Sequence, residues 1–273
     1  PTKSDIIYNS GATAEQNASN VQQVTSVGNT TKIEWAEKTW NLVTGCTPVS
    51  PGCQNCYAKV FAERFRSVPG HHFENGFDFQ LRPERLEQPL HWEKPRRIFV
   101  CSMADLFHSN VPDAYIGEVF KTMIAANWHT FIVLTKRADR LVDWIGNNLE
   151  RVPDNIWIGV TVENQDYVDR IDKLVMVPAK TRFVSCEPLL GAVTVPDHLM
   201  AQIDWAIIGG ETGVKARKME AAWVLSLIAQ CKKHGVAAFF KKWGKWDAEG
   251  QKVGNKRAGR LIDGKLLEEY PHR

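Results

Sequence analysis

Short apolar, β-branched runs alternate with amphipathic stretches along most of this 273-residue chain. Arg97–Cys101, Thr130–Leu134, Ile156–Val162, Arg182–Cys186, Trp205–Ile208 and Ala237–Phe240 read as strands, and an earlier strand is expected over Trp40–Val43. Asp113–Asn127 starts on Pro112 and Asp113 and sets Ile116, Val119, Phe120, Met123 and Ile124 on one helical face. Asp139–Leu149, Gln165–Val175 and Glu220–His234 read similarly, and Gly235 stands where a terminating glycine belongs. The pattern predicts an α/β fold whose parallel sheet is covered by helices. Six or seven strands favour a partial or complete parallel (β/α) barrel. A doubly wound sheet is the alternative, weakened because no G-x-G-x-x-G follows the first strand.

Residues 1–31 are polar and have little to bury, so they are expected to form a flexible extension before a single domain over 32–273. That domain has about the length of a strand–helix barrel. Composition adds exclusions: 44% hydrophobic and 24% charged residues argue against a collagen-like or disordered chain. No apolar run is long enough to span a bilayer, and PTKSDIIYNS lacks the apolar core of a secretory signal. The six Cys are too sparse for a secreted disulfide framework, so reducing cytoplasm is the expected setting.

Three of those Cys change the picture. Residues 45–58 read G-C-T-P-V-S-P-G-C-Q-N-C-Y-A, with Cys46, Cys53 and Cys56 spaced C-x6-C-x2-C. Pro48, Pro51 and Gly52 make this a loop, and a helix is expected from Tyr57. In a barrel the loop after the first strand opens on the face where active sites form. Three thiolates can hold three irons of a four-iron cluster and leave one iron open. A zinc site completed by His71, His72 or His108, or a disulfide with one spare Cys, also fits the spacing. Cys101, Cys186 and Cys231 read as small core residues.

The stretch KIEWAEKTWNLVTGCTPVSPGCQNCYA from Lys32 resembles the phage-associated Gp37/Gp68 family (DUF5131), which is related to radical S-adenosylmethionine (SAM) enzymes. The resemblance continues through IFVCSMADLFH from Ile98, LTKR from Leu134, GVTVEN from Gly159, SCEPLLG from Ser185, IIGGETG from Ile207, FFKKWG from Phe239 and GRLIDG from Gly259. It implies a radical SAM barrel in which Cys46, Cys53 and Cys56 hold a [4Fe-4S] cluster, SAM binds the open iron, and an external flavodoxin- or ferredoxin-like protein donates electrons. The typical spacing in such enzymes is C-x3-C-x2-C with an aromatic before the last Cys. Here the first gap is six, Asn55 takes the aromatic's place and Tyr57 follows.

SAM is then expected at the strand ends. After the second strand come Ser102 and Asp105, and Asp105 could equally cap the following turn. Thr135 and Lys136, with Arg137, follow the third. Thr161 and Glu163 alternate at the end of the fourth, so period-two geometry turns both to one side, suited to ribose hydroxyls. Gly209, Gly210 and Glu211 follow the sixth, where glycine permits close backbone approach. Glu187 ends the fifth strand and Lys241 follows the seventh, and these two are the expected catalytic residues. From Lys232 to Arg273, eleven Lys and Arg face five Asp and Glu, so the formal +3 divides into +6 there and −3 elsewhere. That basic end, with Trp243, Trp246 and Tyr270, suggests a DNA or nucleotide substrate whose nucleobase is modified, rearranged or repaired. A zinc-stabilised nucleic-acid-binding module without catalysis is the other reading.

Overall fold

The structure, a computed structural model, describes residues 31–271. The expected extension over 1–31 lies, apart from Thr31, outside the described residues.

Nine strands are present among the described residues: β1 (Lys38–Trp40), β2 (Val43–Thr44), β3 (Gln80–Leu81), β4 (Arg97–Val100), β5 (Thr130–Thr135), β6 (Ile156–Thr161), β7 (Arg182–Cys186), β8 (Trp205–Gly209) and β9 (Ala237–Lys242). Seven form one all-parallel sheet in the order β1-β4-β5-β6-β7-β8-β9. The helices are α1 (Tyr57–Glu63), α2 (Asp113–Ala125), α3 (Ala138–Asn148), α4 (Asp169–Met176), α5 (Asp197–Met200), α6 (Ala221–His234) and α7 (Asn255–Ala258). β1 and β9 are edges, so the barrel is partial. The sequential strand order has no topological switch point, which removes the doubly wound alternative.

Alternate residues along each strand pack in two separate layers, as a pleated strand requires. Ile98, Val100, Phe131, Val133, Ile158, Val160, Val184, Ala206, Ile208 and Phe240 join the helices in the outer core. Phe99, Ile132, Trp157, Phe183, Trp205, Ile207 and Phe239 fill the concave side with Trp35, and among the described residues no helix contributes there. Phe183 can lie across the sheet because its neighbour is Gly159: a Cβ at Gly159 would stand 2.5 Å from the Phe183 ring. The inner face is thus plugged with aromatics low down. Thr161, Ser185, Glu187 and Lys241 succeed them toward the strand C-termini.

Several expectations are corrected. The strand placed over Trp40–Val43 is divided: β1 ends at Trp40, and Val43–Thr44 leaves the sheet to pair antiparallel with Gln80–Leu81. The helix expected over Gln165–Val175 begins as a 3-10 turn, Gln165–Tyr167, before α4. The helix from Tyr57 stops at Glu63. On α2, Ile124 is exposed while Ile116, Val119, Phe120 and Met123 are buried. Gly235 does end α6 in the left-handed region, at φ 69°.

Candidate functional site

Cys46, Cys53 and Cys56 line one cavity at the C-terminal end of the sheet. All three are free and half-buried, whereas Cys101, Cys186 and Cys231 are buried. Burial pushes the Cys231 thiol up to about 12. The cavity is also lined by Tyr57, Ser102, Asp105, Thr135, Lys136, Thr161, Glu187, Gly210, Glu211 and Lys241. Gly209 borders it: a Cβ there would lie 3.4 Å from the Glu187 and Lys241 side chains. Glu163 alone among the expected site residues lies behind the wall. β6 ends at Thr161, so strand parity no longer governs the chain two residues later.

The Cys loop is tied to the sheet at three points. The Arg137 guanidinium donates to the Thr47 carbonyl at 2.9 Å and stands 3.6 Å from the Cys46 sulfur. Asp105 holds Arg137 at 2.9 Å and also accepts from the Thr135 hydroxyl at 2.7 Å and the backbone N–H groups of Phe107 and Lys136. Both Asp105 oxygens are therefore engaged, and the residue joins the β4 and β5 loops. Burial pushes the Cys46 thiol up to about 11 although Arg137 pulls the other way.

Ser50 makes the second tie, donating to Glu163 at 2.5 Å. Arg170 donates to the same carboxylate at 2.9 Å and to the Thr161 carbonyl at 2.7 Å, so the buried charge is paired. Gly52 packs on this carboxylate: a Cβ there would come within 2.5 Å of it. The third tie centres on Glu211. Arg217 donates to it from backbone and side chain, Asn55 donates at 3.0 Å, and Arg217 also reaches the Pro51 carbonyl at 2.9 Å. Burial pulls the Glu211 carboxyl upward, but the bonds from Arg217 and Asn55 outweigh it and leave it below the usual carboxylate range. Ser50, Asn55, Arg170 and Arg217 are residues of these ties that sequence reasoning did not assign. Their only signal was polarity beside the Cys motif or a strand end.

On the inner wall, Thr161 and Ser185 are register partners, and each hydroxyl is buried without a hydrogen-bond partner. The Trp35 indole N–H, in the same cavity, is also unpartnered. A buried unsatisfied polar group costs about 1–3 kcal/mol, so three such groups on residues that line one cavity make that wall a candidate binding surface. Lys241 and Glu187 form an ion pair at the rim, and Tyr57 donates to the Ser102 carbonyl at 2.6 Å across the entrance.

The donor set does not suit a single ion. Among the described residues no three His, Cys, Asp or Glu side chains gather closely enough to hold one. His71, His72 and His108 are engaged elsewhere, with Phe65, Arg85 and Thr47 respectively. The basic C-terminal segment also differs from expectation. Lys242 pairs with Glu34 at 2.5 Å, Arg260 pairs with Glu268, and Tyr270 packs on Trp205 and Phe239. The Trp243 and Trp246 indoles donate to the Leu261 and Ala216 carbonyls. These aromatics are committed to packing.

No curated protein matches the chain. Among solved structures, a spore photoproduct lyase complexed with dinucleoside spore photoproduct is similar at 11% identity and a TM-score of 0.43, over 76% of this chain and 64% of that one. A double mutant of the lyase with bound AdoMet and the same dinucleoside is similar at 12% identity and a TM-score of 0.41, over 84% and 72%. The chain thus spans less than two thirds of the first of these. The sequence profile described as "Protein of unknown function (DUF5131)" matches residues 30–271, nearly the whole chain, and the protein belongs to that family.

Proposed function

We propose that this protein is a radical SAM enzyme that acts on a nucleobase or a group appended to one. The observation that carries the reading is the cavity itself: three free thiols on one loop line it together with Trp35, Thr161 and Ser185, whose indole and hydroxyl groups are buried and unpartnered. A [4Fe-4S] cluster fits this donor set better than a single ion does, because cluster-bound sulfurs stand farther apart than ligands of one metal. Cys46, Cys53 and Cys56 would hold it. SAM offers ribose hydroxyls, an amine and a carboxylate, which suit Thr161, Ser185 and the Trp35 N–H. Bound together and given one electron by an external donor, the two cofactors would supply hydrogen-atom abstraction from an unactivated carbon, with methionine as the other product of SAM cleavage.

The chain's own residues then have distinct tasks. Asp105 orients Thr135 and Arg137, and Arg137 sets positive charge against Cys46. The aromatic plug beneath Thr161 and Ser185 keeps water from the lumen. Glu187 and Lys241 pair at the rim, where Lys241 can instead meet a substrate anion. Tyr57 and Ser102 border the entrance, and Lys136 stands 3.7 Å from Glu163 behind the wall.

Anaerobic reconstitution tests the reading. Iron and acid-labile sulfide should load together, and reduction with SAM should release 5′-deoxyadenosine. Ala at Cys46, Cys53 or Cys56 should abolish loading, while Cys231→Ala should not. Zinc alone, with no 5′-deoxyadenosine after reconstitution, would return the protein to a zinc-stabilised binding module.

A further inference from the structure

A second, open groove adjoins the candidate site and shares Asn55, Tyr57, Ser102 and Thr212 with it. Lys32, Lys59, Arg64, Arg85 and Lys215 line it against the single carboxylate of Glu63. Arg85 pairs with Glu84 at 3.7 Å, which leaves Lys32, Lys59, Arg64 and Lys215, three more cations than carboxylates along the groove. Glu63 and Asp78 are both spent on Arg66, which leaves Lys59 and Arg64 exposed and without a carboxylate partner among the described residues.

The same wall is aromatic. Tyr57, Val60 and Phe61 on α1 and Arg64 at its C-cap lie three to four residues apart and share one face. Tyr57 is 53% exposed and Phe61 44%, unusual for side chains that a helix could have turned inward. Alternating cations and exposed aromatic rings along a groove suit a strand whose phosphates meet Lys and Arg while its bases stack. A folded acidic protein would meet the cations but would have no use for stacking faces in a concavity.

We propose that this groove binds single-stranded nucleic acid and delivers one base into the cavity beside the Cys loop. The proposal rests on the nucleobase reading above, and it locates the substrate on α1 and the Lys215 loop rather than on the basic C-terminal segment. A duplex would first have to extrude the base, since the target atom of a stacked base is out of reach.

Binding of a labelled single-stranded oligonucleotide of mixed sequence to the full chain, followed by fluorescence anisotropy across a salt series, tests this without turnover. The single strand should bind more tightly than its duplex. Lys59→Ala, Arg64→Ala and Lys215→Ala should each flatten the dependence of log affinity on log salt by about 0.7. Phe61→Ala should weaken binding about tenfold. Phe61 packs against Phe65 and Phe73, so the three charge variants, whose side chains are exposed, serve where that variant fails to fold. Lys256→Ala and Arg257→Ala on α7 should leave the salt dependence unchanged. Equal or tighter duplex binding, a salt dependence indifferent to Lys59, Arg64 and Lys215, or equal competition by polyglutamate would overturn the proposal. The radical SAM reading stands or falls separately, on iron content and 5′-deoxyadenosine.

Discussion

Thr161 and Ser185 sit side by side on β6 and β7 and line the same cavity, with their hydroxyls buried and unbonded. Each hydroxyl destabilises the chain unless a ligand meets it. Thr161→Val keeps the shape and removes the unsatisfied group, so the unliganded protein should unfold at the same temperature or higher. The same change should weaken SAM binding about tenfold, the loss of roughly one hydrogen bond. Thermal scans with and without SAM check both halves. A destabilised variant with unaltered SAM-induced stabilisation would mean that the hydroxyl serves the fold.

Arg217 spans the Cys loop and the loop after β8, and Glu211 is buried beneath it. Arg217→Ala should cost about 2 kcal/mol or more, because it strands a buried carboxylate with Asn55 alone. It should also speed amide exchange over residues 50–56, and iron should load more slowly although no thiol has been touched. Hydrogen exchange of the protein before loading separates this positioning role from a catalytic one. Normal protection there would show that the loop is held by Glu163 and Arg137.

Gly210 looked from the sequence like a place for close ligand approach. In the structure its open side is filled by the chain: a Cβ would stand 2.1 Å from the Trp243 carbonyl oxygen. Gly210→Ala should therefore destabilise by about 1–3 kcal/mol through overpacking, with or without SAM. Gly209→Ala meets only the edges of Glu187 and Lys241 at 3.4 Å and should be better tolerated. Chemical denaturation of both variants gives the comparison.

These cases show which parts of the site were legible in the sequence. β4 to β9 were readable because each buries both faces and so writes a nearly continuous apolar run. The two-residue pairing of β2 with β3 was not, since two residues carry no period and their partner lies beyond the Cys loop. The thiols and strand-end polar residues were legible as a group because loops at one end of a parallel sheet converge. Which of them face the cavity was not legible. Asp105, Glu163 and Glu211 look alike as strand-end acids, yet each is consumed by a partner, and Asn55 and Glu211 are separated by 156 positions. The unassigned Ser185 emerged as a ligand candidate for the opposite reason, that nothing in the chain satisfies it.

The acid limit of stability should be set by imidazoles before carboxylates. His129 is buried, accepts from the Arg96 N–H at 3.1 Å through Nδ1 and faces the Pro89 carbonyl at 3.1 Å through Nε2, so Nε2 carries its one proton. A second proton would have to displace the Arg96 contact. Burial holds its pKa below the ordinary histidine value despite the favourable carbonyls, with Lys38 and Arg96 adding repulsion. His72 is driven down to about 3 by burial and by Arg85 and Arg82. Both groups bind protons more readily when unfolded, so the stability they contribute is complete above about pH 6.5 and declines as pH falls through that value. Carboxylates with lowered values, such as Glu37 and Glu211, act in the same direction but only near and below their own unfolded range, about pH 4.5. The window from pH 6.5 to 5 therefore isolates the histidines. Urea unfolding across it should show a loss of about 1 kcal/mol from His72 alone, with partial solvent screening already discounted. His72→Gln, which keeps an acceptor for Arg85, should remove that part of the slope and leave the part due to His129 and to His108, whose pKa burial also lowers. A flat profile in the parent protein would require His72 and His129 to be protonated in the folded state, which the Arg85 and Arg96 contacts oppose.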